Sequence, residues 1–280
     1  MKLQQQVKQF LSKKDYDKRI VNYEVIHQVK DSDYDELNSL CQLKDGDVIM
    51  DYGAGYGSVT TELIKRNSSR ELSFTLLEPS EVQIHRAELL VSPQSSKKIV
   101  EYVNSTLQKV IFSKGSFTHI ISKVAIHEIP LTEQGIEVKM MFDLLKDNGS
   151  IYIWTINCDS KLQPFVQSFF KKKDSLTNLN SLAKNRYFAN TDELKTMLKD
   201  SGFIEENISF HEIQPMTYET KNQLDQDFRG NFKKLKMFNE YIRKTVSKES
   251  ERNKEKIRFI DEGKTVTVHH PQYIIKATKK

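Results

Sequence analysis

Three glycines in five residues, Gly53, Gly55 and Gly57, follow Asp51 closely and precede Glu78 by about twenty positions. They sit in "VIMDYGAGYGSVTTELI", between an apolar run and an amphipathic one. Glycine at a strand-to-helix turn accepts positive φ and lets a ligand approach the backbone, while the next helix offers free N–H groups. The spacing decides which ligand. A phosphate-cradling loop needs Gly-x-x-x-x-Gly-Lys-Ser/Thr, which does not occur here, and a dinucleotide fingerprint, Gly-x-Gly-x-x-Gly, is one residue looser. Asp51 would repel a pyrophosphate but attract an ammonium or sulfonium group, unless it only bonds its own loop. Glu78 closes "FTLLE", the position from which an acidic side chain accepts ribose hydroxyls; with no basic residue there, a 2′-phosphate is not expected. A nucleoside with a cationic tail suits both carboxylates.

The elements around these residues must hold them at one edge of a sheet. "VIMDY", "LSFTLLEP", "IVEYVN", "THIIS" and "IYIWTI" read as strands. "SEVQIHRAELLV", with Ser80 a candidate N-cap, and "QGIEVKMMFDLLKDNGS", stopped by Asn148-Gly149 with Met140, Phe142 and Leu145 inward, read as helices. Helical stretches also open the chain, including "DYDELNSLCQL" from Asp33. Strands alternating with helices predict a parallel, doubly wound, Rossmann-like α/β sheet whose ligands bind beyond the strand carboxyl ends.

Composition bounds the rest. The 280 residues suffice for one large domain with a lid, and 29% charged residues with a mean hydropathy of −0.58 suit a soluble protein. No stretch reaches membrane-spanning length and "MKLQQQVKQF" lacks a secretory signal core, so a cytoplasmic location is expected. Cys41 and Cys158 form neither a disulfide framework nor a metal-ligand pattern, and no metal site is expected. Residues 1–160 carry a net charge of −3 and residues 161–280 of +8, which hints at different roles for the two halves.

The sequence resembles the class I S-adenosylmethionine-dependent methyltransferases. The resemblance runs in order through "DYGAGYG", "LLEPS", "SFTHIISKVAIHEIP", "LLKDNGSIYIWT" and "TDELKTMLKDSGF", roughly Asp33 to Ser209. It implies a seven-stranded sheet with an antiparallel last strand, for which "KTVTVHHPQYIIKAT" is the candidate. It further implies that Gly53, Gly55 and Gly57 face the methionine part of the cofactor, beside Tyr56, that Asp51 holds its amino end and that Glu78, followed by Pro79, holds the ribose. Ser122, at the end of strand four, joins the cofactor set. The family's acidic adenine partner after strand three is missing from "YVNSTLQ", so Asn104 or Ser105 must serve. Thr118 also replaces a common Asp, at the turn into strand four.

Methyl transfer from a sulfonium needs alignment and desolvation of the acceptor, and a base only if the acceptor must lose a proton. The candidates lie in "SKVAIHEIP": His127 as base or wall, with Glu128 or Lys123 orienting the acceptor. The segment does not resemble the Asp/Asn-Pro-Pro-Tyr/Phe motif of nucleic-acid amine methylation, which favours a small organic acceptor methylated on oxygen, nitrogen or carbon. Residues 1–43 are expected to form a helical lid over a methyltransferase domain of residues 44–280, with Tyr16, Arg19 and Tyr23 on its substrate side. Phe165, Phe169 and Phe170 are candidate apolar walls.

A helical insert is expected at about 218–262, where Leu235, Phe238, Ile242 and Val246 form an apolar stripe. From Lys233 to Arg258 ten Lys and Arg face four Glu, either a solvated surface or a dock for an anionic substrate, an acidic carrier protein or RNA. An RNA or protein methyltransferase is therefore the alternative reading, ahead of a nicotinamide-linked oxidoreductase or a cofactor-binding scaffold without turnover.

Overall fold

The computed structural model describes residues 29–94, 98–156 and 159–280. Tyr16, Arg19, Tyr23 and Cys158 lie outside the described residues. Helix α1 (Asp31–Cys41) leads into β1 (Val48–Tyr52), and the glycine loop joins this strand to α2 (Ser58–Arg66). Then follow β2 (Leu72–Leu77), α3 (Glu81–Val91), β3 (Lys98–Val103), β4 (Phe117–Lys123), α4 (Leu131–Leu144) and β5 (Leu145–Ile156). Helices α5 (Gln163–Leu176), α6 (Asn180–Asn185) and α7 (Thr191–Ser201) precede β6 (Ile208–Glu219). After it come α8 (Thr220–Gln223), α9 (Phe232–Val246), α10 (Glu251–Ile257), the two-residue β7 (Ile260–Asp261) and β8 (Val266–Thr278).

The sheet order is β3-β2-β1-β4-β5-β8-β6, with β7 attached to β8. The first five strands run parallel, and β8 is antiparallel to both β5 and β6. The expected seven-stranded sheet is thus present, enlarged by the short β7. The crossover from β3 over to β4 puts a switch point beside β1, where the carboxyl ends leave a crevice.

Alternate residues of each central strand enter different cores. Ile49, Ile121, Trp154 and Ile274 pack with α1, α2 and α3, whereas Met50, Ile120, Ile153 and Ile275 pack with α4 and α7. Coverage on both faces explains the continuous apolar strands. Tyr34, Leu37 and Cys41 of α1 and the following Leu43 belong to the first of these cores.

Several local expectations hold to the residue. β1 spans "VIMDY", Ser80 caps α3 by accepting from the Gln83 amide, and α7 runs from the Asn190 capping box to Gly202 at φ +113°. Leu235, Phe238, Ile242 and Val246 of α9 are all buried, against α5 and the extension of the sheet. Helix α4 differs. It ends at Leu144, before Asn148-Gly149, because Leu145 already pairs with Phe117 in the sheet. Its most buried positions are Gln134, Glu137, Val138, Met141 and Leu144; Met140 and Phe142 pack on the same core only partly buried, and Leu145 is fully buried as expected. Phe142 turns towards α7, edge-on to Phe203 and under Gly202. Thr118 ties β4 to β1, because its hydroxyl both accepts from the amide and donates to the carbonyl of Val48.

Candidate active site

A cleft of about 1250 Å³, open solvent at its mouth included, lies beyond the carboxyl ends of the parallel strands. Its wall gathers Asp51, Gly53, Gly55, Tyr56, Glu78, Pro79, Ser105, Lys123, His127 and Glu128 from the residues selected in the sequence. Gly57, Asn104 and Ser122 are off the wall.

The glycines divide their work. Gly55 has φ +56°, and a Cβ built on it would have nothing within 4 Å, so its open side is the cleft. Gly57, at φ +80°, is a packing residue, since a Cβ there would lie 2.8 Å from Val91 Cγ2 and 3.2 Å from Ala87 Cβ. It lets α2 close on α3. Gly53 abuts Ala125, at the end of β4, in the same way.

The carboxylates of Asp51 and Glu78 are buried at the floor. Glu78 Oε2 accepts from the Gly55 amide at 2.9 Å and Oε1 from the Ser80 amide at 2.8 Å. These bonds tie β2 to the glycine loop and fix the carboxylate. Burial nevertheless pushes its carboxyl up to about 7, helped by the negative charge of Glu128 and Asp51. Asp51 Oδ2 accepts from the hydroxyl and amide of Thr60, at the start of α2, and burial raises it to about 6. The Asn104 side-chain amide donates to the Glu78 carbonyl at 3.0 Å, and Ser105 reaches the wall. Ser122 is fully buried inside the sheet.

At the other end of the cleft, β4 hands over to Val124 at φ +54°. A β-branched residue seldom adopts that conformation, and such strain clusters at functional sites. Val124 is held by its amide N–H, which donates to the Trp154 carbonyl at 2.8 Å. The chain then turns through Ile126–Glu128. His127 is buried and stacks on Phe188 with ring centroids 4.3 Å apart, and Phe188 in turn packs on Phe170. Lys123 bonds the Tyr34 hydroxyl at 2.8 Å and lies over the Tyr34 and Trp154 rings, which turns it to α1. Of the three phenylalanines in α5, Phe170 lines the cleft; Phe165 and Phe169 are core.

Sequence reasoning missed the ion network behind Glu128. Arg186 Nη2 bonds Glu128 Oε1 at 3.0 Å, and Arg186 Nη1 meets Asp174 Oδ2 at 2.8 Å. Lys173 Nζ then bridges Asp174 and Asp227 at 3.3 and 2.8 Å. Arg186, Asp174, Lys173 and Asp227 are all buried. The cleft wall thus carries four carboxylates, of Asp51, Glu78, Glu128 and Glu137, against the cations of Lys123 and Arg186. That excess of negative charge favours a cationic ligand. Among the described residues no cluster of metal-ligating side chains occurs, and no helix is long and apolar enough to cross a membrane.

A doubly wound sheet with a glycine loop at the end of β1 and a carboxylate at the end of β2 defines a Rossmann-like, nucleoside-binding protein. The family described as "Methyltransferase domain" matches residues 11–204. The chain belongs to that family, among the class I S-adenosylmethionine-dependent methyltransferases. The fold is similar to that of a candidate methyltransferase from Bacillus halodurans: TM-score 0.71 and 17% identity, over 89% of this chain and 99% of the other. A cyclopropane synthase from Mycobacterium tuberculosis gives TM-score 0.57 and 10% identity, covering 94% and 95%. A phosphoethanolamine N-methyltransferase from Haemonchus contortus, solved with phosphomonomethylethanolamine and S-adenosylhomocysteine, gives 0.56 and 16%, covering 97% and 57%. No curated protein sequence matches the chain.

Proposed function

We propose that the protein transfers the methyl group of S-adenosylmethionine to a small organic acceptor held at the β4–β5 end of the cleft. The observation that carries this reading is the joining of two unlike ends in one cleft. One end has the open Gly55 and the buried carboxylates of Glu78 and Asp51. The other closes on the buried side chains of Ile156, Phe170 and Met216, from β5, α5 and β6. Such an end is a pocket, suited to a small molecule.

The cofactor suits the first end on chemical grounds. Desolvated carboxylates with raised proton affinity want donors, and ribose hydroxyls and an ammonium group provide them. Glu78 would hold the ribose, Asp51 the amino end, and Gly55 and Tyr56 the methionine stretch beside Pro79. The bound cofactor supplies a methyl group already activated on a sulfonium. The chain's own residues therefore have to align the acceptor, exclude water and, for a hydroxyl or acidic carbon, take a proton. Arg186 fixes Glu128 at the wall, ready to orient a polar acceptor group, and His127 is the candidate base.

The insert supports a small acceptor over RNA or protein. Arg243 pairs with Asp261, Arg252 and Lys256 with Asp159, Lys254 with Glu251, and Lys236 with Glu240, so much of the basic face is neutralised within the fold. Incubation with methyl-labelled S-adenosylmethionine, a panel of small metabolites, bulk RNA and mixed proteins tests the proposal. Label in a low-mass product is expected; label confined to RNA or protein would contradict it.

His127→Ala is expected to lower turnover about 10²–10⁴-fold at saturating cofactor, the usual contribution of a placed base. S-adenosylhomocysteine affinity should stay within about twofold, because the imidazole faces the acceptor end. Retention of more than about half the wild-type rate would reduce His127 to a wall residue stacked on Phe188.

A further inference from the structure

The cleft has a carboxylate that neither the glycine loop nor the ion network uses. Glu137 lies on the inner face of α4 and is 2% exposed, yet its side chain reaches the cleft wall. Its neighbours place it. Gln108, just after β3, and Tyr52, on β1, lie beside its carboxyl, the Gln108 amide donating to Glu133 Oε2 at 3.3 Å, and Leu77 and Leu107 line the same part of the wall. It therefore sits on the β3–β2–β1 side of the crevice, away from Ile156, Phe170 and Met216.

Glu137 Oε2 has no hydrogen-bond partner among the described residues. A buried carboxylate oxygen left unmatched is costly, and folded proteins retain few of them without a function. The expected adenine partners leave a matching gap. Asn104 spends its amide on the Glu78 carbonyl, and Ser105 and Thr106 bring hydroxyls but no carboxylate to the wall.

We propose that Glu137 reads the nucleobase of the cofactor, its Oε2 accepting a hydrogen bond from the exocyclic amine of adenine while Leu77 and Leu107 cover the ring. The assignment rests on the cofactor reading above. An ionised carboxylate only accepts hydrogen bonds, so it favours the amine of adenine and rejects the oxygen that hypoxanthine carries at the same position. Burial raises the Glu137 carboxyl to about 7, in keeping with a group still short of a donor. The family's usual acidic residue after strand three would then be replaced by one reaching in from α4.

The test compares the affinities of S-adenosylhomocysteine and S-inosylhomocysteine for wild type, Glu137→Leu and Glu137→Gln by calorimetry, with melting curves confirming that each variant is folded. Wild type is expected to prefer the adenosyl ligand by at least about 30-fold, since the oxygen of hypoxanthine leaves the carboxylate unmatched. Glu137→Leu should reduce that preference to about threefold or less. Glu137→Gln presents an amide N–H to the same place, so it should narrow or invert the preference and remains informative if the leucine variant does not fold. General destabilisation weakens both ligands together and does not move their ratio. A wild-type ratio in both variants would overturn the role of Glu137. Failure of folded wild type to bind either ligand would instead overturn the cofactor reading, and this assignment with it.

Discussion

Gly55→Val is expected to weaken S-adenosylhomocysteine binding by at least about 100-fold while leaving the protein folded. Two effects add. A branched side chain at φ +56° strains the loop by about 1–2 kcal/mol, and it projects into the open side of the glycine, where the cofactor is proposed to lie. The strain also pulls on the Gly55 amide that fixes Glu78 Oε2. The fold should survive because a Cβ there meets no protein atom within 4 Å. Gly57→Ala gives the opposite pattern, since its Cβ would press on Val91 and Ala87 and separate α2 from α3. Its loss should appear first in the melting temperature. Calorimetry and thermal melting of both variants separate the roles. Near wild-type affinity in Gly55→Val would mean that the open side of this glycine does not face the cofactor.

Arg186→Met should produce the largest loss of stability among single changes at the site. The methionine keeps much of the side-chain volume but removes the cation between Glu128 and Asp174. Asp174 is fully buried and keeps only Lys173, which Asp227 also claims. Removing one partner from a buried ion pair costs about 3–5 kcal/mol, because the charge left behind has no solvent to replace it. At about 2–4 °C per kcal/mol, the melting temperature should fall by roughly 6–20 °C. Turnover should drop as well, since Glu128 loses the bond that positions it. Glu128→Gln is the contrasting variant: its side chain is partly exposed, and Arg186 retains Asp174, so melting should change far less. A melting temperature of Arg186→Met within about 2 °C of wild type would show that the network carries no such energy.

These expectations divide along a line set by how locally each feature is encoded. β1, the glycine loop and Glu78 were legible because one strand-turn-helix unit writes its geometry in adjacent residues. The α9 stripe was legible because the period of a helix is short. The phase of α4 was not, since Met140, Met141 and Phe142 are all apolar and only the packing of Phe142 beside Gly202 and Phe203, after α7, separates them. The Arg186–Asp174–Lys173–Asp227 network unites α5 with two loops, without a motif in any of them. Glu137 reads from sequence as one more charge on a helix, and only the strand order shows that its face of α4 meets the cleft. Gly57 and Ser122 show the converse. Each stands in a segment similar to the family's, yet one packs helices together and the other lies inside the sheet.

The central claim is that this cleft binds an adenosyl cofactor through Glu78, and calorimetric titration of S-adenosylhomocysteine and NAD into wild type and Glu78→Ala tests it most directly. A micromolar dissociation constant is expected for S-adenosylhomocysteine, about −8 kcal/mol, and no measurable binding of NAD. Glu78→Ala should weaken the first by about 1–3 kcal/mol, the cost of leaving buried hydroxyls unmatched. The pH dependence follows from the raised proton affinities. With Glu78 near 7 and Asp51 near 6 in the free protein, donors on the ligand stabilise the ionised carboxylates, so binding releases protons and tightens from pH 6 to pH 8. NAD affinity comparable to that of S-adenosylhomocysteine, or an unchanged constant in Glu78→Ala, would contradict the claim.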